Sequence, residues 1–281
     1  MNPKQIKILF QDVDGCLNPT NGEHLTADPE GTLSAQQIEM LRAINEAINA
    51  SSLKHWVINT GRYWPIFKTI ASYLPTPKLR YFLFEHACVL YDRELDQNLD
   101  LPSIAHRCQL PELVERYSNL DTMHRVLKWY DAQGEGLMKA TYGCSMPRLD
   151  KFANLSFEIP THADADQVLA TIENGIRQSF SPAECAHLEF CRSDLFVDIL
   201  PGIHKLDGID LVCAHLNTPQ EHVLAMGDYL NDLAVFETFP QVMCPSNAHP
   251  RIVQLTQQKG EGGHVSEYAY GAALLDFLKQ V

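Results

Sequence analysis

The sequence predicts an α/β protein whose parallel sheet is interrupted by an inserted α+β module. Three observations carry this. Short apolar runs such as "IKILFQ" and "HWVIN" alternate with helical patterns, the arrangement of a parallel sheet buried on both faces. After about Arg93 the order changes to helix-strand-strand-helix-strand-strand, which suits an antiparallel sheet with helices on one face. From Lys205 the first pattern resumes. The expected organisation is a discontinuous core, residues 1–92 and 200–281, around an insert at residues 93–199.

The elements follow in order. "IKILFQ" reads as a strand and "NPTNGEHLTADPEGTLS" as a loop rich in turn formers. Ser34 is placed to cap a helix running to about Asn49, with Ile38, Leu41, Ile44 and Ile48 on one stripe. "HWVIN" is a strand, Trp64 to Tyr73 a helix stopped before Pro75, and "YFLFEHACVLYD" one or two strands. In the insert, a helix from about Pro111 to Ala132 precedes "LMKATYG" and "NLSFEIP" as strands. A second helix, Ala165 to Phe180, precedes "HLEFCRS" and "LFVDILP". In the last third, "LDGIDLVCAHLN" is helical, "HVLAMG" a strand, "DLAVFETF" a helix and "QVMCPSN" a strand, and the chain ends in a helix. No internal repeat or low-complexity tract occurs.

Composition bounds the function. A hydrophobic content of 45% can fill a core, and 22 Lys+Arg against 35 Asp+Glu give a net charge of −13. That balance argues against nucleic acid or an anionic membrane as the main partner. "MNPKQIKILF" lacks the apolar stretch of a signal peptide and no run is long enough to span a bilayer, so a cytoplasmic protein is expected. The eight cysteines have no C-x-x-C pairing, and Cys88, Cys191 and Cys213 lie in apolar runs; reduced, mostly buried thiols are expected rather than disulfides or a zinc site.

Ligands bind beyond the carboxyl ends of strands in open parallel sheets, and four polar clusters occupy such positions. In Asp12-Val13-Asp14-Gly15, two carboxylates close a strand, where they can hold Mg²⁺ or where one can act as a nucleophile. A calcium loop fails, because Cys16 and Leu17 stand where an oxygen ligand and a glycine are required. In "VINTGR", Thr60 offers a hydroxyl and Gly61 allows close backbone approach; the ordinary alternative is that Thr60 caps the next helix. Lys205 opens a helix against its dipole, a placement that a bound anion would favour and an exposed lysine would tolerate. In "AMGDYLNDLAVF", Asp228, Asn231 and Asp232 crowd one turn, beyond what capping by Asp228 requires.

In this order the four clusters resemble the signature of the haloacid dehalogenase-like hydrolases. The insert between the second and third is similar to a C2 cap of the Cof-type and sugar-phosphate phosphatase branch. "FLFEHACVLYD" resembles that branch's strand into the cap, and "NAHPRIVQL" its segment after the fourth motif. The resemblance implies a Rossmann-like parallel core with helices on both faces, and a cap that sets specificity. It implies that Asp12 is the nucleophile, forming an aspartyl-phosphate, and Asp14 the general acid/base. Mg²⁺ would lie between Asp12, the backbone carbonyl of Asp14 and Asp228. Thr60, Gly61, Lys205 and Asn231 would surround the phosphate, with Asp232 completing the site from behind or through water.

The implied activity is Mg²⁺-dependent hydrolysis of a small phosphomonoester, with a sugar phosphate first among candidates. A phosphosugar mutase and a non-catalytic phosphate-binding regulator are the alternatives. Three departures stand out: Cys16 where Thr or Ser is usual, bulky Tyr229 after Asp228, and "EHA" where "NGA" is usual, which puts Glu85 and His86 near the substrate. Arg148, Lys151, Arg192 and Asp194 are the candidate specificity residues of the insert.

Overall fold

The computed structural model describes residues 3–17, 33–192 and 196–281. The loop expected at 18–34 lies almost entirely outside these residues, as does Asp194. The chain forms two compact units, Met1–Asp100 with His204–Val281, and Leu101–Ile203.

The first unit is built on one eight-stranded sheet. Its early elements are β1 (Ile8–Gln11), α1 (Ala35–Ala50), β2 (His55–Asn59), α2 (Trp64–Ser72), β3 (Tyr81–Phe84), β4 (Val89–Asp92) and β5 (Gln97–Leu99). The "YFLFEHACVLYD" run is thus two strands, and the chain stays in this sheet as far as Leu99. Ser34 caps α1 as expected: its hydroxyl accepts the Gln37 N–H, and the Gln37 side chain accepts the Ser34 N–H at 2.8 Å. Leu41, Ile44 and Ile48 are buried along one stripe of α1. On α2, Phe67 packs on Phe82 and Phe84, while Trp64 stacks on Tyr91 at 4.9 Å between ring centroids. This aromatic cluster locks α2 to the β3–β4 hairpin.

The second unit comprises α3 (Leu101–Arg107), α4 (Pro111–Trp129), a π-turn (Tyr130–Gly134), α5 (Glu135–Tyr142), β6 (Leu155–Glu158), α6 (Ala165–Ser179), α7 (Pro182–Cys185), β7 (Glu189–Arg192) and β8 (Phe196–Leu200). Its antiparallel sheet has the order β6-β8-β7. "LMKATYG" is not a strand. Its Leu, Met, Lys and Ala favour helix, the π-turn carries the helical path into it, and Gly143 at φ 75° ends it as a left-handed C-terminal residue. The core gathers Met123, Val126, Tyr130, Met138, Phe157, Ile172 and Val197. Tyr130 stacks on Phe157, and its hydroxyl donates to the Met146 carbonyl at 2.6 Å. Ser156 and Asp198, paired across β6 and β8, alternate with core residues and so point to the opposite sheet face. Lys151 donates to Ser156 there at 2.8 Å. Arg148 pairs with Asp131 and Arg192 with Asp166.

Back in the first unit, α8 (Lys205–His215), β9 (Val223–Met226), α9 (Leu233–Thr238), β10 (Val242–Cys244), α10 (Pro250–Gln258), β11 (Gly263–Val265) and α11 (Tyr270–Leu278) complete the fold. The sheet order is β11-β10-β9-β1-β2-β3-β4-β5, parallel from β11 to β3 and antiparallel beyond. This is the expected α/β core, a parallel sheet with helices on both faces, carrying an antiparallel edge. The chain runs outward from β1 through β2 and β3, then returns to β9 on the other side of β1. That reversal opens a crevice at the carboxyl ends of β1 and β9. β1 and β9 are buried along their whole length, so their first polar residues come only where the sheet ends.

Among the described residues, no helix is long and apolar enough to cross a membrane. All eight cysteines are free; Cys88 and Cys213 are buried as expected, whereas Cys191 is exposed at the end of β7. Ser34→Ala is expected to lower stability by about 1 kcal/mol through loss of the cap, read by urea unfolding.

Candidate active site

The crevice between β1 and β9 collects the charged groups. Asp12 follows β1, and its N–H donates to the Met226 carbonyl at 3.0 Å, continuing the β1–β9 ladder by one residue. Asp228 follows β9 after Gly227, and Asp232 closes a 3₁₀ turn, Leu230–Asp232. Carboxylate oxygens of Asp12, Asp228 and Asp232 lie within 4.8 Å of one another, and all three residues are buried. Lys205 Nζ lies 2.6 Å from Asp12 and 2.7 Å from Asp232.

Each charge is placed by local structure. Asp207 accepts the His204 N–H at 2.8 Å, which starts α8 at Lys205. Asn59, the last residue of β2, donates to the Lys205 carbonyl at 3.1 Å and ties that helix start to the sheet. The lysine is only 2% exposed, so it is not a solvated residue enduring a poor position on the dipole. Asp228 does not cap the 3₁₀ turn; Asp232 reaches back instead, accepting the Asp228 N–H at 3.1 Å. Gly15 has φ +70°, and a Cβ there would sit 1.8 Å from an Asp228 oxygen, so only glycine admits that carboxylate.

The electrostatics follow from burial. Three carboxylates face one ammonium, leaving a formal excess of two negative charges if all ionise. Burial, reinforced by Asp232 and Asp14 and opposed by Lys205, pushes Asp12 well above the usual carboxylate range. Burial and then Asp232 push Asp228 up to about 7. Lys205 is raised despite burial, because Asp12 and Asp232 hold its proton. Cys16, fully buried, points its Sγ at Asp228 from 3.8 Å; burial and the neighbouring carboxylates raise its thiol, so it stays protonated. A divalent cation fits this donor set: hard oxygen ligands, close spacing and a charge deficit of two.

Thr60 is fully buried, and its hydroxyl accepts the Arg62 N–H at 3.2 Å; it does not cap α2, which begins at Trp64 after Tyr63. Gly61 lies under the His86 ring, 2.7 Å from where its Cβ would be. The Asp14 carboxylate accepts from Arg62, which donates through Nε at 2.9 Å and Nη2 at 2.5 Å. Asn231 is exposed on its 3₁₀ turn, and Tyr229 is also exposed.

Arg62 is the site residue that the motif reading missed, although it stands in the quoted "TGR". Three consecutive left-handed residues, Glu85 (φ 52°), His86 (φ 57°) and Ala87 (φ 72°), form the β3–β4 turn. Each costs roughly 1–2 kcal/mol where no glycine is present. Glu85 N–H donates to the Arg62 carbonyl at 2.9 Å and His86 N–H to the Thr60 carbonyl at 3.1 Å, which offsets that strain.

This crevice, with its acidic cluster and buried lysine at a sheet reversal, sits on the fold of the haloacid dehalogenase-like hydrolases. Residues 154–258 match the family model for haloacid dehalogenase-like hydrolases, a stretch that includes Lys205, Asp228 and Asp232. The 0175 protein of Thermoplasma acidophilum superposes with a TM-score of 0.61 at 16% identity, covering 98% of this chain and 99% of its own. The sucrose-phosphatase of Synechocystis sp., solved with sucrose and phosphate, gives 0.58 at 16% identity, over 97% and 96%. A HAD/COF-like hydrolase described from Plasmodium vivax gives 0.52 at 18% identity, over 98% and 95%. No curated protein matches the chain in sequence. The resemblance read from the four motifs therefore holds, in fold along the whole chain and in sequence across its third and fourth motifs.

Asp228 holds its proton more tightly when folded than when unfolded, so it stabilises the metal-free protein at low pH. That contribution is lost as pH rises from the ordinary carboxylate range through about 7. In EDTA the thermal midpoint is expected to fall between pH 5 and pH 8. Asp228→Asn, or a saturating divalent cation, is expected to flatten the decline, as differential scanning fluorimetry would show.

Proposed function

We propose that the protein is a Mg²⁺-dependent phosphatase that hydrolyses a small phosphomonoester, a sugar phosphate above all, through an aspartyl-phosphate on Asp12. The observation that carries this is a buried Asp12 held by Lys205 at the end of β1, beside Asp228 and Asp232. An aspartate so placed is held by a fixed ammonium at the carboxyl end of its strand, where open parallel sheets bind ligands. The fold's likeness to a phosphatase solved with sucrose and phosphate supports the substrate class.

In the first half-reaction, an Asp12 oxygen bonds to phosphorus as the ester P–O bond breaks. Asp14 gives its proton to the departing oxygen. In the second, Asp14 takes a proton from water as the water oxygen bonds to phosphorus and the Asp12–phosphorus bond breaks, releasing inorganic phosphate. Such proton transfer contributes about 10²–10⁴-fold. Lys205, the Thr60 hydroxyl and the Gly61 N–H hold phosphoryl oxygens, and positioning with charge stabilisation is most of phosphoryl-transfer catalysis. Asp12, Asp228 and the Asp14 carbonyl would hold Mg²⁺, which would supply charge neutralisation for the crowded carboxylates and the phosphate. Asp232 keeps Lys205 and the Asp228 backbone in place. The inserted unit is assigned substrate selection.

Asp12→Asn is expected to lower turnover by about 10³-fold or more over a panel of phosphate esters with Mg²⁺. Equal activity in the two proteins would refute the nucleophile. Release of inorganic phosphate, rather than an isomerised ester, separates hydrolysis from transfer between sugar positions. Cys16→Thr places a hydroxyl where the thiol approaches Asp228 and removes no reacting group; kcat/KM is expected to stay within about threefold.

A further inference from the structure

We propose that Arg62 is the positioning residue for Asp14: its guanidinium holds both carboxylate oxygens, so that the proton-transfer group meets each half-reaction in one fixed orientation. This rests on the phosphatase reading and adds to it a residue outside the four-part site. Asp14 takes no part in the Lys205 network that fixes Asp12 and Asp232, and its side chain is 28% exposed. Without a partner it would rotate about its own side-chain bonds. A general acid must lie within about 2.6–3.2 Å of the oxygen it protonates, so that freedom would be costly.

The fork at 2.9 and 2.5 Å fixes both the position and the plane of the carboxylate. It uses one acceptor direction on each oxygen, and a carboxylate has about four. A direction therefore stays open for the proton that passes to the leaving oxygen when the ester bond breaks, and that is later taken from water when the Asp12–phosphorus bond breaks. Arg62 is fixed in turn from behind. Its N–H donates to Thr60 Oγ1, its carbonyl accepts from Glu85, and its side chain is only 10% exposed. The left-handed Glu85–Ala87 turn thus bears on Asp14 through Arg62.

The test compares Arg62→Gln and Arg62→Lys, each with Asp14 intact and with Asp14→Asn, on two substrates. One is an alkyl phosphate, whose leaving group needs a proton; the other is p-nitrophenyl phosphate, whose leaving group does not. Arg62→Gln is expected to lower kcat on the alkyl phosphate by about 10–100-fold, with KM changed less than about threefold. Single-turnover release of p-nitrophenol should stay within about threefold, because Asp12 and Lys205 are untouched. In the Asp14→Asn background the further loss should be under about threefold, since a residue acting through Asp14 has nothing left to position. Arg62→Lys should recover little, because one ammonium cannot hold both oxygens. A raised KM with unchanged kcat would make Arg62 a phosphate-binding residue and overturn the proposal, as would an equal loss with and without Asp14. Wild-type protein that hydrolyses no ester would overturn the phosphatase reading and this inference with it. Activity abolished by Asp12→Asn, but unmoved by either Arg62 change, would overturn the inference alone. Thermal midpoints establish that the variants are folded, and if Arg62→Gln is not, Arg62→Lys carries the same comparison with the charge retained.

Discussion

The burial of one ammonium governs this site. Taking Lys205 out of water is costly, and its two carboxylate contacts with Asp12 and Asp232 offset that cost. The three residues come from the end of β1, the start of α8 and the 3₁₀ turn after β9, so one ion triad pins three elements together. Breaking such a buried set by removing one member typically costs 3–5 kcal/mol, because the charge left behind is uncompensated. The lysine also works against the dipole of its own helix, and the two carboxylates reverse that field at the helix start.

The triad leaves Asp228 over. It sits against Gly15 and Cys16, shielded from solvent and close enough to Asp232 to be pushed toward neutral pH. The fold thus builds in a repulsion among Asp12, Asp228 and Asp232 that a divalent cation would relieve. Gly15 makes the crowding possible, since any Cβ at that position would displace the Asp228 carboxylate. Cys16 contributes volume and a weak hydrogen bond in place of a hydroxyl.

Asp14 belongs to a different network, although it is two residues from Asp12. β1 ends at Gln11, so both acids lie in the turn beyond the strand, where Asp12 meets Lys205 and Asp14 meets Arg62. Two carboxylates that would repel each other are separated by having one cation each. The strained "EHA" turn supports the second arm by donating its N–H groups to the backbone around Arg62. The Glu85 and His86 contributions run through backbone N–H groups, which residues of any side chain can supply.

The sheet core was legible because apolar runs of four or five residues between capped helices have few other solutions, and Ser34 and Pro75 mark helix boundaries by local chemistry. The Asp12, Lys205, Asp228 and Asp232 set was legible as four polar interruptions at strand and helix ends. "LMKATYG" was misread because a short apolar stretch carries no period of its own, and the π-turn that continues the helix depends on packing around Tyr130. The sequence by itself determined which residue types stand at each strand end, since burial along β1 and β9 leaves polar groups nowhere else to go. Tertiary structure alone decided the partners: that Lys205 is buried between two acids, that Asp232 joins the cluster, and that Arg62 takes Asp14. Those pairings join residues 27 to 193 positions apart, and only the order in which the strands return to β1 brings them within hydrogen-bond reach.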